Sequence, residues 1–314
     1  MPNKLISIVT SCYNEAGNIR ELYERIKAVM EKFPVYAWEL IIADNFSTDG
    51  TRDIIRMMAR EDKRVKAIFN ARNFGHIRSP MNALKQAQGD AVVSMCSDLQ
   101  DPPELIEKMI GEWEKGTKVV IGVRDKTECS IFMELFRRFY YSLLKKAAPE
   151  EDLISGFTGY GLYDRQFMDA FRSFDDPYPY FRGIVSEIGL KRLEIPFTQL
   201  KRKHGKTKNN FFTLYDMAMT GFVNHTKLPL RLAVFSGFLI AFLSLLVALG
   251  YFIYKLCNWN NFQVGMAPLV IGLFFFSAIQ LIFIGILGEY IGAIYTQVKN
   301  KPLVIEEERL NFDE

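Results

Sequence analysis

The chain reads as an α/β protein, a mostly parallel sheet domain followed by a C-terminal hairpin of two transmembrane helices. Three observations give that reading. Short apolar runs rich in β-branched residues alternate with helical patterns as far as residue 123. Polar clusters follow three of those runs. Near the C-terminus, two long stretches carry no charged residue.

Residues 5–10 form the first strand pattern, followed by Ser-Cys-Tyr-Asn-Glu and a helical pattern over 18–32. A second strand at 38–43 ends in Asp44-Asn45-Phe46-Ser47-Thr48-Asp49-Gly50, and a helix follows through residue 58. The pattern then gives a strand at 65–69, a helix at 79–88 and a buried strand at 91–93. The next ten residues, 95–104, read MCSDLQDPPE. They lead into a helix over 103–115 and a strand at 119–123. Strands alternating with helices imply crossover connections, hence parallel strands with both sheet faces covered.

A parallel sheet brings its strand exits to one edge, where open α/β sheets bind ligands. Three polar clusters meet there: Tyr13-Asn14-Glu15, Asp44 with Asp49, and Asp98 with Gln100 and Asp101. The last offers oxygen ligands suited to a hard divalent cation carrying phosphates. Taken alone, each cluster is better read as polar side chains that cap helices and close turns; three on one edge point instead to a nucleotide–metal site. No Gly-x-Gly-x-x-Gly follows the first strand and no Walker lysine motif occurs, which weighs against dinucleotide and NTPase chemistry.

Composition sets wider bounds. The 314 residues suffice for one large or two ordinary domains, and a net charge of +3 does not by itself imply a polyanionic partner. Cys12, Cys96, Cys129 and Cys257 are far apart and lack metal-ligand spacing, the pattern of a reduced, cytosol-facing protein. Met-Pro-Asn-Lys runs straight into a strand with no signal-peptide pattern.

SIVTSCYNEAGNI, ELIIADNFSTDGT, NARNFGH and GDAVVSMCSDLQDPPEL occur in that order. Together they resemble a family-two inverting glycosyltransferase with the GT-A (Rossmann-like) fold. Within it, the likeness is to the branch that moves a sugar from a nucleotide onto a polyprenyl phosphate, which includes dolichol-phosphate mannose synthases and bactoprenol glucosyltransferases. The resemblance implies that Tyr13, Asn14, Glu15 and Asp44 line the nucleoside pocket, with Asp44 facing the base. It implies that Asp98 and Gln100 hold Mg²⁺ or Mn²⁺ on the donor diphosphate, and that Arg124, Arg138 and Ser142 grip the acceptor phosphate. Asp98, Arg124 and Arg138 are thus the expected catalytic residues. Arg202 and Lys208 match a loop that closes over the diphosphate through charge-assisted contacts.

Two positions depart from the family pattern. Cys96 stands where an aspartate is usual, and a soft thiolate suits Mg²⁺ or Mn²⁺ poorly; the expectation is a small buried hydrophobe. In Phe157-Thr158-Gly159-Tyr160-Gly161-Leu162-Tyr163-Asp164, Gly159 replaces an acidic residue of many relatives.

Residues 132–146 read as a basic, aromatic helix, either lying at a membrane surface or presenting an ordinary solvated face. PYPYFRG (177–183) precedes what reads as a short strand pair, and Arg182 is either structural or close to the site. The run Lys201-Arg202-Lys203-His204-Gly205-Lys206-Thr207-Lys208 is the positive flank expected before a membrane span. A hydrophobic span follows almost at once, which argues against nucleic acid.

The expected organisation is a glycosyltransferase domain over 1–209, an interfacial amphipathic helix over 210–228, a membrane hairpin over 229–298 and a tail over 299–314. The spans fall at about 232–254 and 264–288, the first roughly 35 Å long as a helix. Arg231, Lys299 and Lys301 flank the hairpin, which places both termini on the cytoplasmic side of an inner membrane. The acidic residues 306–308 and 313–314 read as a solvated end.

The resulting expectation is an enzyme that transfers a sugar from a UDP-sugar to undecaprenyl phosphate for cell-envelope glycan modification, with homo-oligomers built through the membrane helices. A processive polysaccharide synthase would carry Gln-x-x-Arg-Trp, which is absent. The remaining rival is a degenerate lipid- or nucleotide-binding scaffold.

Overall fold

The computed structural model describes residues 4–125, 156–176, 179–200, 228–257, 266–299 and 301–312. Arg138, Ser142, Arg202 and Lys208, the basic aromatic helix, the basic run and the interfacial segment before residue 228 lie outside the described residues.

β1 (Leu5–Cys12), β2 (Ala37–Asp44), β3 (Val65–Asn70) and β4 (Ala91–Cys96) alternate with α1 (Ile19–Met30), α2 (Thr51–Glu61) and α3 (Gly75–Gln86). Then come α4 (Leu105–Glu114), β5 (Val119–Arg124), β6 (Phe157–Asp164), α5 (Arg165–Arg172), α6 (Phe181–Ile188) and β7 (Arg192–Phe197). The C-terminal part holds α7 (Leu228–Cys257), α8 (Met266–Val298) and β8 (Glu306–Leu310).

The sheet order is β7-β5-β6-β4-β1-β2-β3-β8. β1 to β4 run parallel, as β5 does with β7, while β6 and β8 run antiparallel to their neighbours. The expected mostly parallel sheet is therefore present. Its strands are apolar on both faces because helices cover both. Ile6, Ile8, Leu40 and Ile42 pack with Leu22 and Ile26 of α1, Ile55 of α2 and Met109 of α4. Val9, Ile41 and Val92 face Leu84 of α3, Phe167 and Phe171 of α5 and Ile184 of α6 on the other side.

Three regions differ from expectation. The strand expected to end at residue 93 continues to Cys96, so the first residues of the acidic motif are strand and not loop. From Phe181, within PYPYFRG, the chain forms helix α6 and then one strand parallel to β5, not a strand pair. The tail is not a solvated end: Glu306–Leu310 is a strand paired antiparallel with β3. Main-chain pairing with the open β3 edge orders a segment too polar to read as a strand.

α7 and α8 contain windows of 28 residues each, Leu230–Cys257 and Ile271–Val298, long and apolar enough to cross a membrane and wholly unburied in the protein. Leu239, Phe242, Phe274 and Ile282 stand among their exposed side chains. A soluble core helix would bury such residues.

Gly89 fixes the approach to β4. A Cβ there would lie 2.6 Å from the Ala91 carbonyl oxygen and 2.7 Å from the Ser7 nitrogen. Both are strand backbone, so neither can yield cheaply. Gly89→Ala should destabilise the domain by about 1–3 kcal/mol, read as a lower midpoint of thermal unfolding. A midpoint equal to that of the wild type would contradict this packing.

Candidate active site

The register of β1, β2 and β4 aligns their exits. Cys12 is opposite Asp44, and Ser11 is opposite Cys96. Three loops therefore leave adjacent positions on one sheet edge.

The first two loops are stitched together. The Asn14 N–H donates to Ser47 Oγ at 2.8 Å, and the Thr48 N–H donates to Asn14 Oδ1 at 2.8 Å. The Glu15 N–H donates to Thr51 Oγ1 at 2.9 Å, and the Ala16 N–H to Asp49 Oδ2 at 3.2 Å. Burial tends to raise the Asp49 pKa, but donors from Thr51 and Ala16 outweigh it and hold the carboxyl below its usual range. Glu15 in turn accepts from Asn18 Nδ2 at 2.5 Å, which fixes the start of α1. Asn14 and Phe46 both have left-handed backbones, with φ of 59° and 69°.

Beneath these loops lies Asp44, with no exposed surface. Its Oδ2 accepts the N–H groups of Phe46 and Ser47, each at 3.1 Å, and lies 3.3 Å from Arg52 Nε. The Cys12 thiol approaches Oδ1 at 3.8 Å. Burial, then the Asp44 charge, drives that thiol far above its ordinary pKa. The Asp44 oxygens are thus enclosed in this structure. What they present to the cleft is the 45–48 turn that they hold in shape.

The third loop carries Asp98, 8% exposed, whose Oδ1 accepts the Gln100 N–H at 3.2 Å. Ser97 Oγ donates to the Ser11 carbonyl at 3.0 Å and so ties this loop to β1. Leu99 between them adopts φ 59°. Gln100 is joined to Leu200 in both directions: its carbonyl accepts the Leu200 N–H at 3.1 Å, and its Nε2 donates to the Leu200 carbonyl at 3.4 Å. The chain that enters the basic run therefore starts from the acidic loop.

Asp101 is fully buried, accepts the Cys96 N–H through Oδ2 at 3.4 Å, and leaves Oδ1 without a hydrogen-bond partner. Burial pushes its pKa up to about 6; nearby Arg124 opposes the shift and Asp98 adds to it. Arg124 ends β5, and burial lowers its own pKa while Asp101 counteracts. Its Nε is also buried without a partner. Asp98, Asp101 and Arg124 form one electrostatic cluster.

Cys96 is exposed, contrary to the expected buried hydrophobe, because the strand runs on to the cleft edge. Its sulfur is less open than the residue as a whole: desolvation, then Asp101 and Asp98, drive the thiol well above its ordinary pKa. A soft sulfur suits a hard cation such as Mg²⁺ poorly, whatever its exposure. The described residues contain no cluster of three His, Cys, Asp or Glu side chains able to hold a metal. The remaining hard donors, Asp98 and Gln100, fit a Mg²⁺-type ion that takes one or two protein oxygens and completes its shell with phosphates and water.

Gly159 has φ +100°, and a Cβ there would lie 3.5 Å from the Phe181 ring. A side chain at this position would be strained, so the missing acidic residue reflects a left-handed backbone.

The structure brings Tyr13, Asn14, Glu15 and Asp44 together at the β1–β2 exits, and Asp98, Gln100 and Arg124 at the β4–β5 exits. Sequence reasoning missed Arg52, Ser47 and Thr51. One signal was present for Arg52: a cation in the first turn of α2 opposes the helix dipole and so calls for a nearby anion.

The chain is similar to known proteins. Residues 7–171 match the pattern of glycosyl transferase family 2. The uncharacterised glycosyltransferase YkcC of Bacillus subtilis is 33% identical over 310 residues, 98% of this chain and 94% of YkcC. A bactoprenol glucosyl transferase of Shigella phage SfII is 30% identical over 303 residues, 96% of each chain. Glucosyl-3-phosphoglycerate synthase from Mycobacterium tuberculosis superposes with a TM-score of 0.48 and 21% identity, covering 68% of this chain and 76% of that one.

The left-handed Asn14 can be tested on its own. Asn14→Gly removes the acceptor for the Thr48 N–H but keeps the backbone easy, whereas Asn14→Ala adds backbone strain of about 1–2 kcal/mol. Thermal unfolding should rank wild type above Asn14→Gly and Asn14→Gly above Asn14→Ala. A reversed order of the two variants would contradict the loop geometry.

Proposed function

The chain belongs to glycosyl transferase family 2, and from that premise we propose that it moves a sugar from a nucleotide-sugar, a UDP-sugar in the first instance, onto undecaprenyl phosphate. The product is a polyprenyl-phosphate-sugar for building or modifying cell-envelope glycans. The observation that carries the proposal is the convergence of the β1, β2 and β4 exits on one edge, with Asp98 after β4 and Arg124 at the end of β5 in one electrostatic cluster beside them. Full-length likeness to a protein named bactoprenol glucosyl transferase supports the acceptor class. Two exposed apolar helices support a bilayer location for that acceptor. In this reading α7 and α8 cross an inner membrane as a hairpin, with the sheet domain on the cytoplasmic side, where Arg231, Lys299 and Lys301 flank the spans.

Tyr13, Asn14 and Glu15, together with the turn held by Asp44, form the nucleoside wall. Asp98 and Gln100 would hold a divalent cation, Mg²⁺ or Mn²⁺, on the donor side. When bound, the ion supplies charge neutralisation for the leaving group. Arg124 faces the acceptor phosphate, joined by Arg138 and Ser142, while Arg202 and Lys208 reach the diphosphate. These last four assignments rest on the motif resemblance alone.

The reaction is a direct displacement. A phosphate oxygen of the lipid attacks the anomeric carbon opposite the diphosphate; the C–O bond to the leaving group breaks and the configuration inverts. A phosphate monoester is already largely dianionic near neutral pH, with a second pKa near ~6, so it needs no protein base. Gly159 is compatible with such a step. The larger demand is the developing charge on the nucleoside diphosphate, which preorganised electrostatics must meet.

Detergent-purified protein incubated with polyprenyl phosphate and a panel of nucleotide sugars should yield one glycolipid, identified by mass. Asp98→Ala should lower its formation at least about 100-fold while membrane insertion and the unfolding midpoint stay unchanged. Turnover near the wild-type rate in that variant would remove Asp98 from the mechanism. Wild-type protein that binds no nucleoside diphosphate, with or without a divalent cation, would favour the scaffold reading.

A further inference from the structure

The strand that follows the membrane hairpin reaches the donor-side loops through one arginine. β8 pairs Glu308 with Phe69 and Glu306 with Asn70, which leaves Glu307 as the extra residue at a register shift. Bulges of this kind re-aim a side chain. In a regular strand, Glu307 and Glu308 would point to opposite faces. Here both reach α2: Glu307 pairs with Arg52 at 2.6 Å, and Glu308 with Arg56 at 2.8 Å.

The two pairs differ in what lies behind them. Both guanidinium groups lie over the ring of buried Phe69, at 5.1 Å for Arg52 and 4.7 Å for Arg56. Among the described residues, Arg56 turns otherwise only to Asp53, on its own helix. Arg52 instead extends its Nε to the enclosed carboxylate of Asp44 and lies 5.7 Å from the ring of Phe46, in the turn that Asp44 organises. One planar guanidinium therefore bridges the C-terminal strand and the turn after β2. Arg52 occupies the first turn of α2, where the helix dipole disfavours a cation, and Asp44 and Glu307 offset that cost from two sides.

We propose that Arg52 is a positioning residue for the donor nucleotide, held in place by Glu307, so that the strand beyond the hairpin sets the affinity of the nucleoside wall. The inference rests on the donor-site reading given above. Glu307 touches no proposed substrate group and acts only through Arg52. Its side chain is half exposed, so its loss should barely change global stability. What changes is the freedom of Arg52, and with it the 45–48 turn.

The test compares Glu307→Gln with Glu308→Gln in the full chain in detergent, by steady-state transfer with donor and acceptor varied separately. Glu307→Gln should raise the donor KM about three- to tenfold while kcat and the acceptor KM stay within twofold. Glu308→Gln, on the same strand with a pair of the same kind, should leave all three within twofold. An unchanged donor KM in Glu307→Gln overturns the inference. So does an equal rise in Glu308→Gln, or a parallel rise in donor and acceptor KM. Calorimetric titration with UDP and Mn²⁺ separates the two levels of the argument. Wild type that binds UDP with the same Kd as Glu307→Gln overturns the positioning role and leaves the donor site standing, whereas wild type that fails to bind overturns both.

Discussion

The buried carboxylate of Asp44 is the constraint on which the candidate donor side depends. An ionised group with no solvent contact costs several kcal/mol unless donors surround it. The Phe46 and Ser47 amides donate to it, and the Arg52 guanidinium, with Nε 3.3 Å away, pairs with it as a counter-charge. Satisfying Asp44 therefore bends the chain after β2 into a left-handed turn at Phe46. That turn supplies the Ser47 hydroxyl and the Thr48 amide to which Asn14 attaches. The shape of the nucleoside wall follows from one charge that has to be accommodated.

The acidic loop after β4 is organised differently. Asp101 and Arg124 are both desolvated, and each shifts the other towards its charged form without completing a hydrogen-bonded pair. Their orphaned atoms leave unspent polar capacity beside Asp98. Such incompletely satisfied polar groups are expensive in a folded protein and cluster at sites where chemistry is done. Leu200, bound to Gln100 in both directions, ties the approach to the basic run to this same loop.

Much of the architecture could be read from residue pattern. Alternating apolar runs marked β1 to β5, because strands buried on both faces must be continuously apolar. The two charge-free stretches marked α7 and α8. β8 was illegible, since Glu-Glu-Glu-Arg-Leu has no apolar alternation and its partner β3 lies more than 200 residues away in the chain. Its ordering comes from main-chain pairing and from arginines on α2, neither of which leaves a local trace. The clusters at Tyr13, Asp44 and Asp98 were legible as strand exits, but the enclosure of Asp44 was not, because it depends on how the turn folds back. The exposure of Cys96 turned on three residues of strand length, and the left-handed backbone at Gly159 is one of two signs of φ that a glycine adopts about equally well.

The central claim is that the β1, β2 and β4 exits form a single cation-assisted nucleotide site. Anomalous diffraction at the manganese edge, from crystals grown with UDP and Mn²⁺, tests it most directly. The account predicts one peak within coordination distance of the Asp98 carboxylate, with the uridine against residues 13–15 and 45–48. A nucleotide bound away from this edge, or a manganese peak that leaves Asp98 uncoordinated, would contradict it.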